Sequence, residues 1–297
     1  MEEETELKKE CLAIFKAGIK AVDGYQAVKN FLKVDGEELH LSNRSFLISD
    51  FKHIYVIGAG KASANMALAI EEILGDRLKG GLVVVKYGHT VSLQKIKVME
   101  AGHPIPDENG FKAAQRLVKF ATGFAKGDLI FCLLSGGSSA LLPLPVEGIT
   151  LAEKQATTKL LFECGAPIYE VNKIRKHLSR IKGGGLAKII YPATLVTLII
   201  SDVIGDKLEV IGSGPTVADP STFLECQEII ERYHLADRIP KRVRKYISAG
   251  VKGIVAETPK PGELFFQKTF NFIVRNNSQC LEAARKKAQA LGYHTLI

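Results

Sequence analysis

Four glycine-rich turns carry the side chains that could do chemistry. They are Gly58-Ala59-Gly60-Lys61, Ser135-Gly136-Gly137-Ser138-Ser139, His177-Leu178-Ser179-Arg180-Ile181-Lys182-Gly183-Gly184, and Ser201-Asp202-Val203-Ile204-Gly205-Asp206 running into Gly212-Ser213-Gly214-Pro215-Thr216. Each follows or adjoins an apolar segment and holds a lysine, serine, histidine or aspartate where a phosphate or a metal ion could sit. Glycine admits positive φ, so successive peptide N–H groups can converge on one anion, and a helix beginning at the turn adds its dipole. One such turn reads equally well as a tight strand-to-helix connection. Four in one chain point to phosphate chemistry.

The first turn departs from the dinucleotide fingerprint, because Ser63 stands where the third glycine belongs and Lys86-Tyr87 replaces the acid expected at the tip of the next strand. It also lacks the spacing of a Walker loop. What remains is Lys61 at a strand-to-helix turn, able to offset phosphate charge or to pair with an acid group on a substrate. Ser135, Gly136, Gly137, Ser138 and Ser139 follow the most apolar strand and read as a phosphate cradle. With no Gly-x-Ser-x-Gly elbow and no base paired to either serine, a serine nucleophile is the weaker reading. Asp202 and Asp206 are suited to holding Mg²⁺ or to activating a hydroxyl, with turn capping as their plain alternative. In the rigid turn His103-Pro104-Ile105-Pro106-Asp107, Asp107 reads as a helix N-cap and His103 as a substrate contact at the end of a short strand.

To bring such turns together the chain must supply a common frame. Strand runs are expected at 54–57, 82–85, 97–100, 129–134 and 195–200, alternating with helices over 62–74, 108–122, 151–164, 168–179, 223–233 and 241–248. A further helix is expected over 6–30, weakened by Gly18 and Gly24. This alternation predicts an α/β fold, a three-layer Rossmann-like domain with a mostly parallel sheet, whose carboxyl edge collects the glycine-rich turns into one site. After Pro259-Lys260-Pro261-Gly262, a strand over 269–274, a helix over 278–291 and a strand over 293–297 read as a βαβ unit. With no parallel neighbour in view, that unit is expected to open a truncated second α/β domain: 1–262 forms the first domain and 269–297 the start of the second.

Composition narrows the classes. The 297 residues are 46% hydrophobic, ample for a buried core, and carry a net charge of +8. The basic residues lie on apparent helix faces, as in Arg238, Lys241, Arg242, Arg244 and Lys245, without aromatics interleaved for stacking, so no nucleic-acid partner is expected. An anionic small substrate explains the balance as well. Five dispersed cysteines, none in a C-x-x-C pair, argue against a disulfide framework or a zinc site and suit a reducing cytoplasm. The acidic start and the lack of an apolar run near ~18 residues predict a soluble, cytoplasmic protein without membrane partners.

Taken together the strings resemble the class II glycerate 2-kinase family: Gly58-Ala59-Gly60-Lys61-Ala62, the stretch 101–110 around His103, the cradle 134–142, Lys176-His177-Leu178-Ser179-Arg180-Ile181-Lys182-Gly183-Gly184, and the long run from Ser201 through Thr222. The match runs in order along nearly the whole chain. It implies transfer of the ATP γ-phosphoryl group to the 2-hydroxyl of D-glycerate with Mg²⁺, in a cleft between a large Rossmann-like domain and a second domain. Lys61 matches the family's catalytic lysine and Asp202 is its expected catalytic companion, with Asp202 and Asp206 as metal ligands. Gly58, Gly60, His103, the serines and glycines of 135–139, Lys182, Gly183, Gly184, Ser213 and Gly214 are the expected substrate and phosphate contacts. Small departures occur at Ser138, Gly185, Ile204 and Ala218, none of which removes a charge.

Family members continue beyond Ile297 into a Gly-Gly-Arg-Asn segment whose arginine faces the lysine across the cleft. Loss of such an arginine costs on the order of 10³ to 10⁵ in rate. The resemblance therefore implies that the chain alone is impaired, or is completed by a complementing carboxy-terminal chain. Two other readings stand beside it. One is an NAD(P)-dependent hydroxypyruvate reductase. The other is a non-catalytic half-site module that pairs with a partner or with a second copy through an exposed strand edge and an uncovered helix near Leu281 and Leu291.

Overall fold

The computed structural model describes residues 2–297. The chain starts with α1 (Glu2–Ala21) and α2 (Gly24–Phe31) in place of the single helix expected over 6–30. The break has a local cause: the Asp23 side chain accepts a hydrogen bond from Gln26 N at 2.9 Å and so caps a new helix. Next comes an antiparallel meander that the sequence reading missed, β1 (Leu32–Asp35), β2 (Glu38–Leu41) and β3 (Arg44–Leu47). Leu32, Leu39 and Leu41 of the meander are fully buried.

The main body follows as β4 (His53–Ala59), α3 (Ser63–Leu74), β5 (Leu78–Lys86), β6 (Ile96–Ala101), α4 (Glu108–Ala121) and β7 (Asp128–Leu134). Five helices or strands come next: α5 (Ser138–Leu141), α6 (Leu151–Glu163), α7 (Ile168–His177), α8 (Gly185–Ile190) and β8 (Thr194–Ser201). The chain closes with α9 (Phe223–Arg232), α10 (Lys241–Val251), β9 (Thr269–Asn276) and α11 (Asn277–Ala290). The six long strands form one sheet in the order β6-β5-β4-β7-β8-β9, and every neighbouring pair is parallel.

A parallel sheet is covered on both faces, which is why β7 is apolar at nearly every position. Ile130, Cys132 and Leu134 face one core, with Leu117, Ile190 and Leu195, whereas Leu129, Phe131 and Leu133 face the other, with Met66, Ile70 and Val196. The meander and α2 cover this second core through Val28, Leu39 and Leu41. Helices α6, α7, α9 and α10 build a third core around Leu161, Ile174, Phe223 and Val243.

The last segment corrects the sequence reading. The strand expected to lack a neighbour finds one: β9 pairs in parallel with β8, from Leu195 opposite Thr269 to Ser201 opposite Asn276. Residues 269–297 are thus attached to the first sheet, and α11 packs on α1 in place of the uncovered helix expected there. Close approach of the two helices explains Gly18, where a Cβ would lie 3.1 Å from Cys280 O. Residues 293–297 form no strand. The chain turns at Gly292, with φ 90°, and the Tyr293 hydroxyl donates to Glu10 of α1, which draws the end toward that helix and away from the sheet. Among the described residues no helix is long and apolar enough to cross a membrane, and all five cysteines are free.

Candidate active site

The central strands β4, β7 and β8 are adjacent, so the turns at their carboxyl ends meet without long excursions. Ala59 lies opposite Leu134, which sets the Gly60-Lys61 turn beside the 135–139 loop. Lys61 N donates to Gly136 O at 3.0 Å, and Ser135 Oγ accepts from Ala62 N at 3.0 Å. Gly58 serves this pairing from inside β4, since a Cβ there would lie 2.4 Å from Leu133 O; it does not line the cleft. Gly60 combines φ 143° with a Cβ position 2.1 Å from Ser135 Oγ. Gly60→Ala should therefore cost about 3 kcal/mol or more in a urea titration, from backbone strain plus overlap with the loop backbone. A loss below ~1 kcal/mol would show that the two turns can separate freely.

Loop 135–139 is the hub. A Cβ on Gly136 would fall 2.3 Å from Asp202 Oδ2 and 3.5 Å from Lys61 Cε. One on Gly137, at φ 93°, would fall 2.9 Å from His103 Cδ2. Two adjacent glycines thus let a lysine from β4, a histidine from the end of β6 and an aspartate from β8 close on one spot. The resulting cleft, about 190 Å³, is lined by His103, the 135–139 loop, Arg175, Asp202 and Gly212. Burial pushes the His103 pKa below its ordinary value, the charges of Lys61 and Lys86 push it further, and Asp202 pulls the other way without reversing the shift. His103 is therefore neutral at pH 7, able both to donate and to accept a hydrogen bond.

Other expected contacts lie behind this cleft. Lys182, 2% exposed, donates from Nζ to Ser139 O at 2.8 Å and to Ser139 Oγ at 2.9 Å. Ser139 Oγ lies 2.9 Å from Ser213 Oγ, which in turn donates to Asn172 Oδ1 at 3.2 Å. Gly183 N donates to Ser213 O at 2.9 Å and Gly184 N to Gly214 O at 2.7 Å. The donors of Lys182, Gly183, Gly184 and Gly214 are consumed inside the protein, so these residues and Ser213 brace the cradle from behind. Asp206 is also elsewhere: its Oδ2 accepts from Asn276 Nδ2 at 2.6 Å, and it does not line the cleft.

Arg175 is the residue the sequence reading passed over. It sits on α7 among Lys173, Lys176 and His177, and a run of helical cations reads as a solvated face. The structure turns it inward, where its guanidinium donates to Ser139 Oγ at 2.7 Å. The same helix is anchored from behind by Asp219, fully buried, which accepts from Lys176 Nζ at 3.2 Å, Ser221 N at 3.1 Å and Thr258 Oγ1 at 3.0 Å. His177 Nε2 meets Glu257 Oε2 at 2.9 Å in the same network.

A parallel sheet covered on both faces, with a polar, glycine-lined cleft at its carboxyl edge, places the chain in the doubly wound α/β class, whose members bind ligands at that edge. Residues 10–248 match the family model described as a domain of unknown function, DUF4147. The chain is 44% identical over 286 residues to the glycerate 2-kinase of Pyrococcus horikoshii, an alignment that covers 96% of this chain and 63% of that protein. It is 45% identical over 242 residues to a putative hydroxypyruvate reductase of Agrobacterium vitis, covering 82% and 53%. The crystal structure of a glycerate kinase from Thermotoga maritima superposes with a TM-score of 0.79 at 34% identity, over 98% of this chain and 64% of that one. The chain belongs to this DUF4147 family, the glycerate 2-kinase family of the sequence reading. It spans less than two thirds of the length of each of these relatives.

Proposed function

We propose that the chain binds D-glycerate and ATP and takes part in transfer of the γ-phosphoryl group to the 2-hydroxyl, giving 2-phosphoglycerate and ADP. The observation that carries this reading is the closure of Lys61, His103 and Asp202 on Gly136 and Gly137. Phosphoryl transfer depends on positioning and on charge stabilisation, and this arrangement supplies both. Lys61 offsets charge that moves onto the transferred group, and loop 135–139 holds phosphate oxygens. Asp202 accepts the proton of the attacking hydroxyl, while neutral His103 orients the substrate.

Magnesium fits this cleft in one specific way. Among the described residues no group of three or more His, Cys, Asp or Glu side chains could hold a metal ion. Mg²⁺ in kinases is commonly held by one or two carboxylates together with substrate phosphates, and Asp202 is the carboxylate that lines the cleft. Bound there, the ion would neutralise phosphate charge. Asp206, tied to Asn276, is left out of that role.

The test is ADP release with D-glycerate, ATP and Mg²⁺, measured for the 297-residue chain alone and supplemented with the remaining carboxy-terminal segment of a family member. ADP in step with 2-phosphoglycerate in either arm supports the reading. Quenching of NADH fluorescence on binding, with oxidation by hydroxypyruvate and no ADP, would replace it with the reductase. Ser63, whose buried hydroxyl donates to Leu133 O at 3.1 Å where a dinucleotide fold has glycine, favours the kinase.

The charge state assigned to His103 has its own check. An NMR titration of the imidazole protons should give a midpoint below the ordinary value of about 6.5, because burial, Lys61 and Lys86 all disfavour the charged ring. A midpoint above that value would mean that Asp202 dominates and that His103 enters the reaction as a cation.

A further inference from the structure

A second cavity opens beside the cleft, between α6 and the loop that follows His103. Its volume is about 550 Å³, and its walls include Ile105, Pro106, Pro143, Leu151 and Phe162. It shares Pro104, Ser139 and Arg175 with the polar cleft, so the two spaces meet at the Arg175 guanidinium. The volume lies within the range of sites for small organic ligands, and the contrast is chemical: apolar walls on one side of Arg175, the serine- and glycine-rich 135–139 loop with His103 and Asp202 on the other.

Three basic side chains meet at the junction without a carboxylate partner. Arg175 donates to Ser139 Oγ, Lys182 to Ser139 O and Oγ, and Lys154 to the carbonyls of Leu178 at 2.9 Å and Arg175 at 3.3 Å. None of the three pairs with a carboxylate among the described residues, although Lys154 and Lys182 are almost wholly buried. Buried charge is ordinarily paired or given up, and burial holds the Lys154 and Lys182 amines well below the usual lysine range, so the charge that needs a partner is that of the Arg175 guanidinium. The missing partner here is an anion, and Arg175, the one of the three that lines both cavities, is placed to meet it. A ligand that fits both halves joins a flat, largely apolar ring system to a chain of anionic groups. A nucleoside triphosphate has that form. Gln155, which lines the pocket, spends one amide proton on Pro106 O at 2.7 Å and keeps its amide oxygen to accept from an exocyclic amine.

We propose that the pocket between α6 and the 104–106 loop takes the base and ribose of a nucleoside triphosphate, whose phosphates pass Arg175 into the 135–139 loop. This rests on the kinase reading and gives it a direction: the base lies toward Phe162, the γ-phosphate toward Lys61 and Asp202. Glycerate then enters from the His103 side.

Calorimetric titration of the chain with ATP and, separately, with inorganic triphosphate tests it. Ala156 lines the pocket from the exposed side of α6, so Ala156→Trp fills the pocket without entering a core. That variant should weaken ATP about tenfold or more and leave inorganic triphosphate unchanged, whereas Arg175→Gln should weaken both. Phe162→Ala, which removes a wall without adding bulk, should weaken ATP alone. ATP binding unaltered in Ala156→Trp and Phe162→Ala, equal affinity for ATP and inorganic triphosphate in the parent chain, or no binding of either would each overturn the proposal. The expected pattern without phosphorylation of D-glycerate in either arm of the ADP assay would instead leave the nucleotide site standing and sink the kinase reading.

Discussion

Asp219→Ala should lower the stability of the chain by about 3–5 kcal/mol, the range found when one partner of a buried charge pair is removed. The carboxylate is wholly excluded from water, and the Lys176 ammonium 3.2 Å away is 6% exposed. Truncation would strand that ammonium and also orphan the Ser221 amide and the Thr258 hydroxyl, both of which donate to Asp219. Asp219→Asn keeps an acceptor for Ser221 and should fall between the two. Urea titrations of the three proteins decide the matter, and a loss below ~1 kcal/mol in Asp219→Ala would mean that water enters the network and replaces the carboxylate.

The same residue gives an acid limb. Burial raises the Asp219 pKa, but the Ser221 hydrogen bond and the charges of Lys176 and His177 outweigh it, so the carboxyl titrates below its ordinary range. A folded pKa lower than the unfolded one means that this contribution is complete above the unfolded value, near 3.9, and is lost as pH falls through the folded value. Stability of the parent chain should therefore drop below about pH 4 more steeply than that of Asp219→Asn.

On the proposed kinase reading, Lys61→Met should reduce phosphoryl transfer by about 10³ while leaving the fold intact. The side chain is exposed at the turn, and its structural contact is made by the backbone, Lys61 N to Gly136 O, which methionine keeps. What is removed is a charge beside Asp202 at the one point where three loops meet. The loss should appear in kcat, with ATP affinity changed far less, because on the arrangement argued above the nucleotide is held mainly by its base and by Arg175. A rate within tenfold of the parent, in whichever assay form turns over, would remove Lys61 from the reaction.

The sheet was legible because its central strands are buried on both faces. Continuous apolar runs such as 129–134 admit few other readings, and the glycine-rich turns after them mark the carboxyl edge. The meander was missed, although Asp35-Gly36 between alternating Leu32, Val34, Leu39 and Leu41 is a hairpin signal, because its strands have only four residues each. The end was misread for a different reason. Whether strand 269–276 has a neighbour depends on β8, about seventy residues earlier, and no local pattern reports that pairing. At the site, residue types that can bind phosphate were found, but the sequence does not say which donors are already spent. Lys182, Gly183 and Gly184 bond inward, while Arg175, hidden in a cationic helix, reaches the cleft.

The adjacency of β4, β7 and β8 bears on when the site comes into being. The bonds that join its loops link Ala62 to Ser135 and Ser139 to Ser213, across 73 and 74 residues of chain. Closing loops of that length is the slow part of assembling a parallel sheet, whereas the helices between them need only local contacts. During refolding, helical signal should consequently return well before any affinity for phosphate. On this order the polar cleft should mature late, because until β7 has found both neighbours its lysine, histidine and aspartate belong to three unrelated segments.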